Sequence, residues 1–261
     1  MTRSAPEYVK GHNLLEGKTV LITAAAGTGI GFSAALRCAE EGAAQIMISD
    51  IHEGRLAKAK ADIAEKTGIE PNVQIGNVTQ EEDVQALVDQ AVKQMGHVDV
   101  LINNAGLGGS AKLVDMTDDQ WNVVMDVTLN GTFRMTRAML RHMQARGSGV
   151  IVNNASVLGW RAQKEQAHYA AAKAGVMALT RCAAMEAAEH GVRINAVSPS
   201  IAMHAFLNKV TSDDVLDELV SREAFGRAAE VWEVANVMVF LASDYSSYMT
   251  GEIVSVSSQR A

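Results

Sequence analysis

The chain is predicted to fold as a doubly wound α/β structure, with about seven parallel strands and helices on both faces. Three observations predict it. Short β-rich apolar runs alternate with helix-patterned stretches from end to end, a glycine-rich turn follows the first run directly, and no Pro/Gly/Ser-rich linker interrupts the series. Alternation of this kind favours parallel strands joined by right-handed helical crossovers.

The elements are read in order. Residues 18–23 (KTVLIT) form a buried strand, and a helix over 30–41 follows the glycine turn, with Gly42 at its end where a C-terminal glycine belongs. Strands are expected at 45–50, 72–75, 98–102, 149–153, 192–197 and 252–256. Helices are expected at 55–67, 81–95, 118–146, 166–190 and 230–243. One domain over 1–261 is expected, with a short N-terminal arm (1–17). The least patterned stretch, 198–227, follows the sixth strand and is a candidate substrate lid.

Composition excludes several classes. The net charge is −7, against a general phosphate-backbone binder, so no nucleic-acid partner is expected. No apolar run is long enough to span a bilayer and the first residues lack a signal-peptide core, so a cytoplasmic location without membrane association is expected. Cys38 and Cys182 fit no zinc spacing; no metal site is expected, and reduced thiols suit that compartment.

In an open parallel sheet, ligands bind beyond the C-terminal strand ends, where strand order reverses. After the first strand runs Thr23-Ala24-Ala25-Ala26-Gly27-Thr28-Gly29-Ile30-Gly31. Gly27, Gly29 and Gly31 let the backbone approach a pyrophosphate, and Ile30 opens a helix whose free N–H groups favour an anion. A glycine cluster by itself equally suits a tight turn. Asp50 closes the second strand. Its carboxylate is placed to accept from a ribose 2′-hydroxyl and to repel a 2′-phosphate, which favours NAD over NADP; capping of the next helix is the alternative. Asn77-Val78 follows the third strand and Asn103-Asn104-Ala105-Gly106 the fourth; the two adjacent asparagines, Asn103 and Asn104, either form Asx turns or, beside the glycines, wall an adenine and ribose site.

Tyr169 and Lys173 are four residues apart on a predicted helix and share a face. A nearby ammonium is expected to lower the pKa of a phenol, which makes the pair an acid/base device; many such pairs are merely solvated. Ser156 lies just beyond the fifth strand, where its hydroxyl can donate to a substrate oxygen or cap a turn.

With these residues assembled, the sequence resembles the short-chain dehydrogenase/reductase family in its single-domain Rossmann form, over nearly the whole chain. The resemblance rests on the glycine turn, Asn103-Asn104-Ala105-Gly106, Ser156 with Tyr169-x-x-x-Lys173, and Asn195-x-Val197-x-Pro199. It implies NAD-dependent hydride transfer between a secondary alcohol and a ketone. Tyr169 would move the hydroxyl proton, Ser156 position the substrate oxygen, and Lys173 hold the nicotinamide ribose. Asn104, Ala105 and Gly106 would line the cofactor, Asn77 and Val78 bracket the adenine, and the segment with Pro199, Ile201 and Ala202 contact the carboxamide. The resemblance also implies a homotetramer, built on the Ala-rich helix around 170–188 and the long middle helix.

Departures from the family pattern are visible. Ala24 replaces a glycine and the turn runs one residue longer. Thr128 stands where the family has an asparagine thought to hold a water in the proton path, and is the candidate for that role. Pro199-Ser200 replaces Pro-Gly, and His204 replaces a carboxamide-contacting threonine. Met203, Ala205, Phe206, Leu207 and Val210 make the lid apolar: either core packing, or the wall for a bulky apolar substrate. Gly108, Gly109 and Trp160 are further candidate walls, and His168 is expected to be structural. The variant turn and Pro199-Ser200-Ile201-Ala202 resemble an actinobacterial subgroup often labelled 3-oxoacyl reductases, some members of which are associated with degrading steroid rings as CoA thioesters. Two readings from other classes stay open: a nucleotide-sensing protein without chemistry, and a methyltransferase.

Overall fold

The computed structural model describes residues 4–203 and 213–259. Its centre is a seven-stranded parallel sheet. The strands are β1 (Thr19–Thr23), β2 (Gln45–Asp50), β3 (Asn72–Ile75), β4 (Val100–Asn103), β5 (Gly149–Asn154), β6 (Val192–Pro199) and β9 (Ile253–Val256). Their spatial order is β3-β2-β1-β4-β5-β6-β9, all neighbours parallel. Order reverses between β1 and β4, so their C-terminal ends open a crevice. β1 and β4 are buried along their whole lengths, which their unbroken apolar runs require.

Helices α1 (Ile30–Glu40), α2 (Glu53–Thr67), α3 (Glu81–Met95), α4 (Asp118–Met125), α5 (Gly131–Arg146), α6 (Ala167–Ala188) and α8 (Val231–Ala242) cover the faces. Two large apolar clusters result. One lies between the sheet and α1, α2 and α8, the other between the sheet and α3, α5 and α6. Among the described residues no helix is long and apolar enough to cross a membrane.

The expected strand and helix order is found, with ends shifted by a residue or two. Two differences matter for the site. The helix read as continuous over 118–146 contains a π-helical turn, Asp126–Asn130, between α4 and α5. A π turn inserts one extra residue, so helical-wheel angles drawn across it do not hold. The stretch read as unpatterned, 198–227, carries a strand, β7 (Ala202–Met203), which pairs with β8 (Ala229–Glu230) just beyond it, and a helix, α7 (Asp213–Ser221). The two-residue strands are too short for periodicity to reveal. His204, Ala205, Phe206, Leu207 and Val210 lie outside the described residues.

The N-terminal arm is stitched to α1 by a buried ion pair. Arg37 and Glu41 are 4% and 0% exposed and bonded to each other. Arg37 also donates to the Val9 carbonyl, and Glu41 accepts from the backbone N–H groups of His12 (2.7 Å) and Leu14 (3.0 Å). Removing one member strands the other's charge in the interior. Glu41→Ala is therefore expected to cost about 3 kcal/mol, read as a lower urea midpoint, with Arg37→Met/Glu41→Leu far closer to wild type.

Candidate active site

The β1–α1 turn forms the floor of the crevice. Gly27 has φ +106 and Ala24 φ +50, so the position where the resemblance expects glycine does adopt the left-handed conformation. Gly31 is the tightest point: a β-carbon there would lie 2.4 Å from both the Ala24 carbonyl oxygen and Asn104 Nδ2. Nothing lies within 4 Å of the Cβ positions of Gly27 and Gly29, and α1 starts at Ile30 with no acidic residue in its first turn. The helix N-terminus thus faces open space with its positive end free.

Asp50 sits at the end of β2 beside this turn. Its Oδ2 accepts from Ala26 N–H (3.2 Å) and its Oδ1 from His52 N–H (3.1 Å). His52, not Asp50, is the N-cap of α2. Burial pushes the Asp50 carboxyl above its ordinary range, against the lowering effect of the Ala26 N–H bond. Asn77 makes an Asx turn, its Oδ1 accepting from Thr79 N–H (3.0 Å) and Thr79 O–H (2.9 Å). Val78 packs on Gly131, where a β-carbon would come 2.7 Å from Val78 Cγ2.

Asparagines brace the ends of β4 and β5. Asn103 and Asn153 are register partners, and Asn103 Nδ2 donates to Asn153 Oδ1 (3.0 Å) and Thr136 Oγ1 (3.1 Å). One residue further, Asn154 Nδ2 donates to Asn104 Oδ1 (2.9 Å), and Asn104 Nδ2 to the Ala24 carbonyl (3.0 Å). Thr23 Oγ1 accepts from the N–H groups of both Asn104 and Ala105. Asn104 therefore shapes the glycine turn from the neighbouring strand. Asn154 was missed in the sequence; its signal was the second Asn-Asn pair, which pairs with the first only once β4 and β5 are adjacent. Its Oδ1 is buried without a hydrogen-bond partner.

Lys173, 2% exposed on α6, donates to the Asn154 main-chain carbonyl. Its Nζ lies 5.6 Å from the Tyr169 ring centroid and 3.3 Å from where a Gly106 β-carbon would be. No carboxylate pairs with it among the described residues, and burial pulls it down to about 8. The partly buried Tyr169 differs from expectation. Burial pushes its phenol up, while its hydrogen bond with Ser156 acts in the lowering sense. The ammonium points at the Asn154 carbonyl rather than at the phenol oxygen, which is why the expected lowering by Lys173 is not what dominates.

Ser156 takes the turn-capping role that the sequence left open, and its hydroxyl proton stays available for the other. Its Oγ accepts from Leu158 N–H (3.2 Å) as N-cap of the 3₁₀ turn Val157–Gly159, which leaves its own proton for Tyr169 or a substrate oxygen. Thr128 is fully buried in the π turn, its hydroxyl engaged with both the N–H (2.9 Å) and the carbonyl (3.1 Å) of Leu107. Pro199 ends β6; Ile201 and Ala202 are buried beyond it, the Ile201 carbonyl accepting from Ala229 N–H (2.9 Å). His168 is buried against Gly109, and burial lowers its pKa. Trp160 stays half exposed. A cavity of about 520 Å³ lies at the opposite strand ends, beside Lys18, Asp99 and Arg193, remote from all these groups.

The arrangement fits a nicotinamide dinucleotide: an open glycine turn on a helix N-terminus, a carboxylate beside it, and a buried ammonium at the glycine-lined end next to a phenol and a serine. A family model described as enoyl-(acyl carrier protein) reductase matches residues 24–258. The chain belongs to the short-chain dehydrogenase/reductase family and is an oxidoreductase of hydroxyl and keto groups. It is 59% identical, over 98% of its length and 97% of the relative's, to (5R,7aS)-5-hydroxy-7a-methyl-1-oxo-2,3,5,6,7,7a-hexahydro-1H-indene-carboxyl-CoA reductase of Mycobacterium tuberculosis (strain ATCC 25618 / H37Rv). It is 37% identical to a 3-oxoacyl-[acyl-carrier-protein] reductase of Thermotoga maritima, over 93% of this chain and 97% of that one. Among solved structures it resembles a short chain dehydrogenase from Mycobacterium smegmatis (TM-score 0.88, 56% identity, 99% of each chain). It also resembles an NAD⁺-bound xylitol dehydrogenase (TM-score 0.87, 33% identity, 94% of this chain and 99% of that one).

Gly31→Ala is expected to lower the thermal midpoint by about 2–4 °C or more, since overpacking against backbone costs at least ~1 kcal/mol. Differential scanning calorimetry checks it.

Proposed function

We propose that this chain is an NAD-preferring reductase or dehydrogenase of a bulky, apolar secondary alcohol or ketone carried as a CoA thioester, in the manner of a fused-ring steroid fragment. The observation that carries the reading is the convergence of Ser156, Tyr169 and the buried Lys173 at the crevice end of the glycine turn. The 59% identity with a reductase of a bicyclic CoA ester supports the substrate class. Gly27, Gly29, Ile30, Gly31 and Asp50 would hold the adenosine and pyrophosphate; Asn77, Val78, Asn104, Ala105 and Gly106 would line the cleft; Pro199, Ile201 and Ala202 would meet the carboxamide. The chain acts as one domain, with 198–227, of which 204–212 lie outside the described residues, as its candidate substrate lid. It works in the cytoplasm as a homotetramer, for which the exposed Trp121 and Phe133 on α4 and α5 and Met185 on α6 offer apolar faces.

A nicotinamide held by these residues would supply or accept the hydride at the substrate's carbonyl or carbinol carbon. In reduction, Tyr169 gives its proton to the substrate oxygen; the raised phenol pKa keeps that proton in place at neutral pH. Ser156 donates to the same oxygen and holds it beside the phenol. Lys173 offers its ammonium to the ribose hydroxyls and to the phenolate that proton loss leaves.

Tyr169→Phe is expected to lower kcat about 10²–10⁴-fold with NADH binding retained, followed by nicotinamide absorbance on a panel of ketones including CoA thioesters. A wild type that binds NADH yet turns over none of them refutes the reading. Lys173 is charged below its pKa of about 8, so kcat/KM for reduction should fall as pH rises through 8; in Lys173→Ala that limb should vanish and the rate drop about 10²-fold. Asp50→Ala should lower the NAD/NADP preference about tenfold, the worth of one charge-assisted hydrogen bond; an unchanged ratio removes the ribose assignment.

A further inference from the structure

We propose that Thr128 is a positioning residue which, with Glu165 and Gln166, clamps the loop 107–111 into a fixed wall over Tyr169, and that Gly108 in this wall sets how bulky a ketone can be beside the phenol. The proposal rests on the reductase reading above for its substrate, but the clamp is a property of the protein alone.

The near end of the loop hangs on Thr128. Its one hydroxyl proton goes to the Leu107 carbonyl and a lone pair takes the Leu107 N–H. Its main-chain carbonyl is occupied as well, accepting from Thr132 O–H at 2.8 Å. The π turn carries this threonine, and full burial keeps water from competing for its bonds. Thr128 thus has no proton turned toward the crevice; what it fixes is where the loop begins.

The far end hangs on the residues just before Tyr169. Gln166 Nε2 donates to the Gly109 carbonyl (2.7 Å), Ser110 O–H to Glu165 Oε2 (2.6 Å), and Ala111 N–H to the Glu165 carbonyl (3.1 Å). Glu165 itself adopts φ +64. Gly108 lies between the anchors, and Gly109 is held only through its carbonyl. A β-carbon at Gly109 would lie 3.0 Å from His168 Nε2, so a side chain there would lift the loop. At Gly108 a β-carbon would meet the Tyr169 ring at 3.8–3.9 Å, an ordinary contact, and Gly108 has no left-handed φ. A larger side chain is therefore tolerated by the backbone, and its branches would spread along the phenol where a substrate skeleton approaches. The wall has no side chain at that point, and a fused ring gains the space.

The test pairs two ketones, cyclohexanone and 1-decalone, with NADH. Gly108→Val should lower kcat/KM for decalone by about tenfold or more and for cyclohexanone far less, since an added methyl or two in an apolar pocket discriminates about 10–200-fold; equal losses overturn the specificity role. Thr128→Val should raise the ketone KM with the NADH KM and the pH limb unmoved, and Thr128→Ser should restore it. A Thr128→Val variant with unchanged KM, a lower kcat and a shifted pH limb would instead place Thr128 in proton transfer. Amide hydrogen exchange over 105–112 judges the clamp without turnover: faster exchange in Thr128→Val than in Thr128→Ser supports it, and equal protection overturns it. A wild type that reduces no ketone, tested alongside, counts against the reductase reading while the exchange result still decides the clamp.

Discussion

The site depends on one buried ammonium. Lys173 sits inside the protein with a neutral carbonyl as its partner and no carboxylate paired with it among the described residues. A charge in that setting is poorly compensated, so its hold on the proton is weak, and it responds strongly to whatever polar groups arrive beside it. Gly106 keeps the space in front of it clear. A glutamate partner in that place would pin the ammonium and saturate it; a backbone carbonyl positions it through one proton and leaves the others without a carboxylate partner among the described residues.

The surrounding structure is organised to hold that carbonyl still. Parallel pairing of β4 and β5 ends at Asn103 and Asn153, and the Asn154–Asn104 side-chain bond continues the ladder one step beyond it. From Asn104 the same chain of bonds reaches the Ala24 carbonyl in the glycine turn. The nucleotide end and the reactive end of the crevice are therefore parts of one hydrogen-bonded frame. Gly31 is needed because this frame leaves no room for a methyl group between the turn and Asn104.

The departures from the family pattern acquire physical content in this frame. Ala24 occupies a left-handed conformation that costs an alanine roughly 1 kcal/mol, and the bond from Asn104 holds it there. Strain kept in place by surrounding bonds is common where a turn must meet a ligand. Thr128 is smaller than the asparagine of the family pattern, and its hydroxyl is bonded to both main-chain groups of Leu107. Beside Tyr169 the loop carries no side chain at Gly108, where a β-carbon would meet the ring at 3.8–3.9 Å.

The sequence by itself determined the sheet, because strand and helix periods differ and each apolar run of the parallel sheet must be buried on both faces. It also determined the crevice, since the glycine turn, Asp50, Ser156 and the Tyr169–Lys173 spacing are each local to one element or its end. Only the tertiary structure decided what those groups do to one another. Thr128 sits in a π turn, where an ideal helical wheel does not hold. Asn154 meets Asn104 across fifty residues of sequence. The Tyr169 phenol is raised and not lowered, because burial depends on every neighbour in space while spacing records only those along the chain.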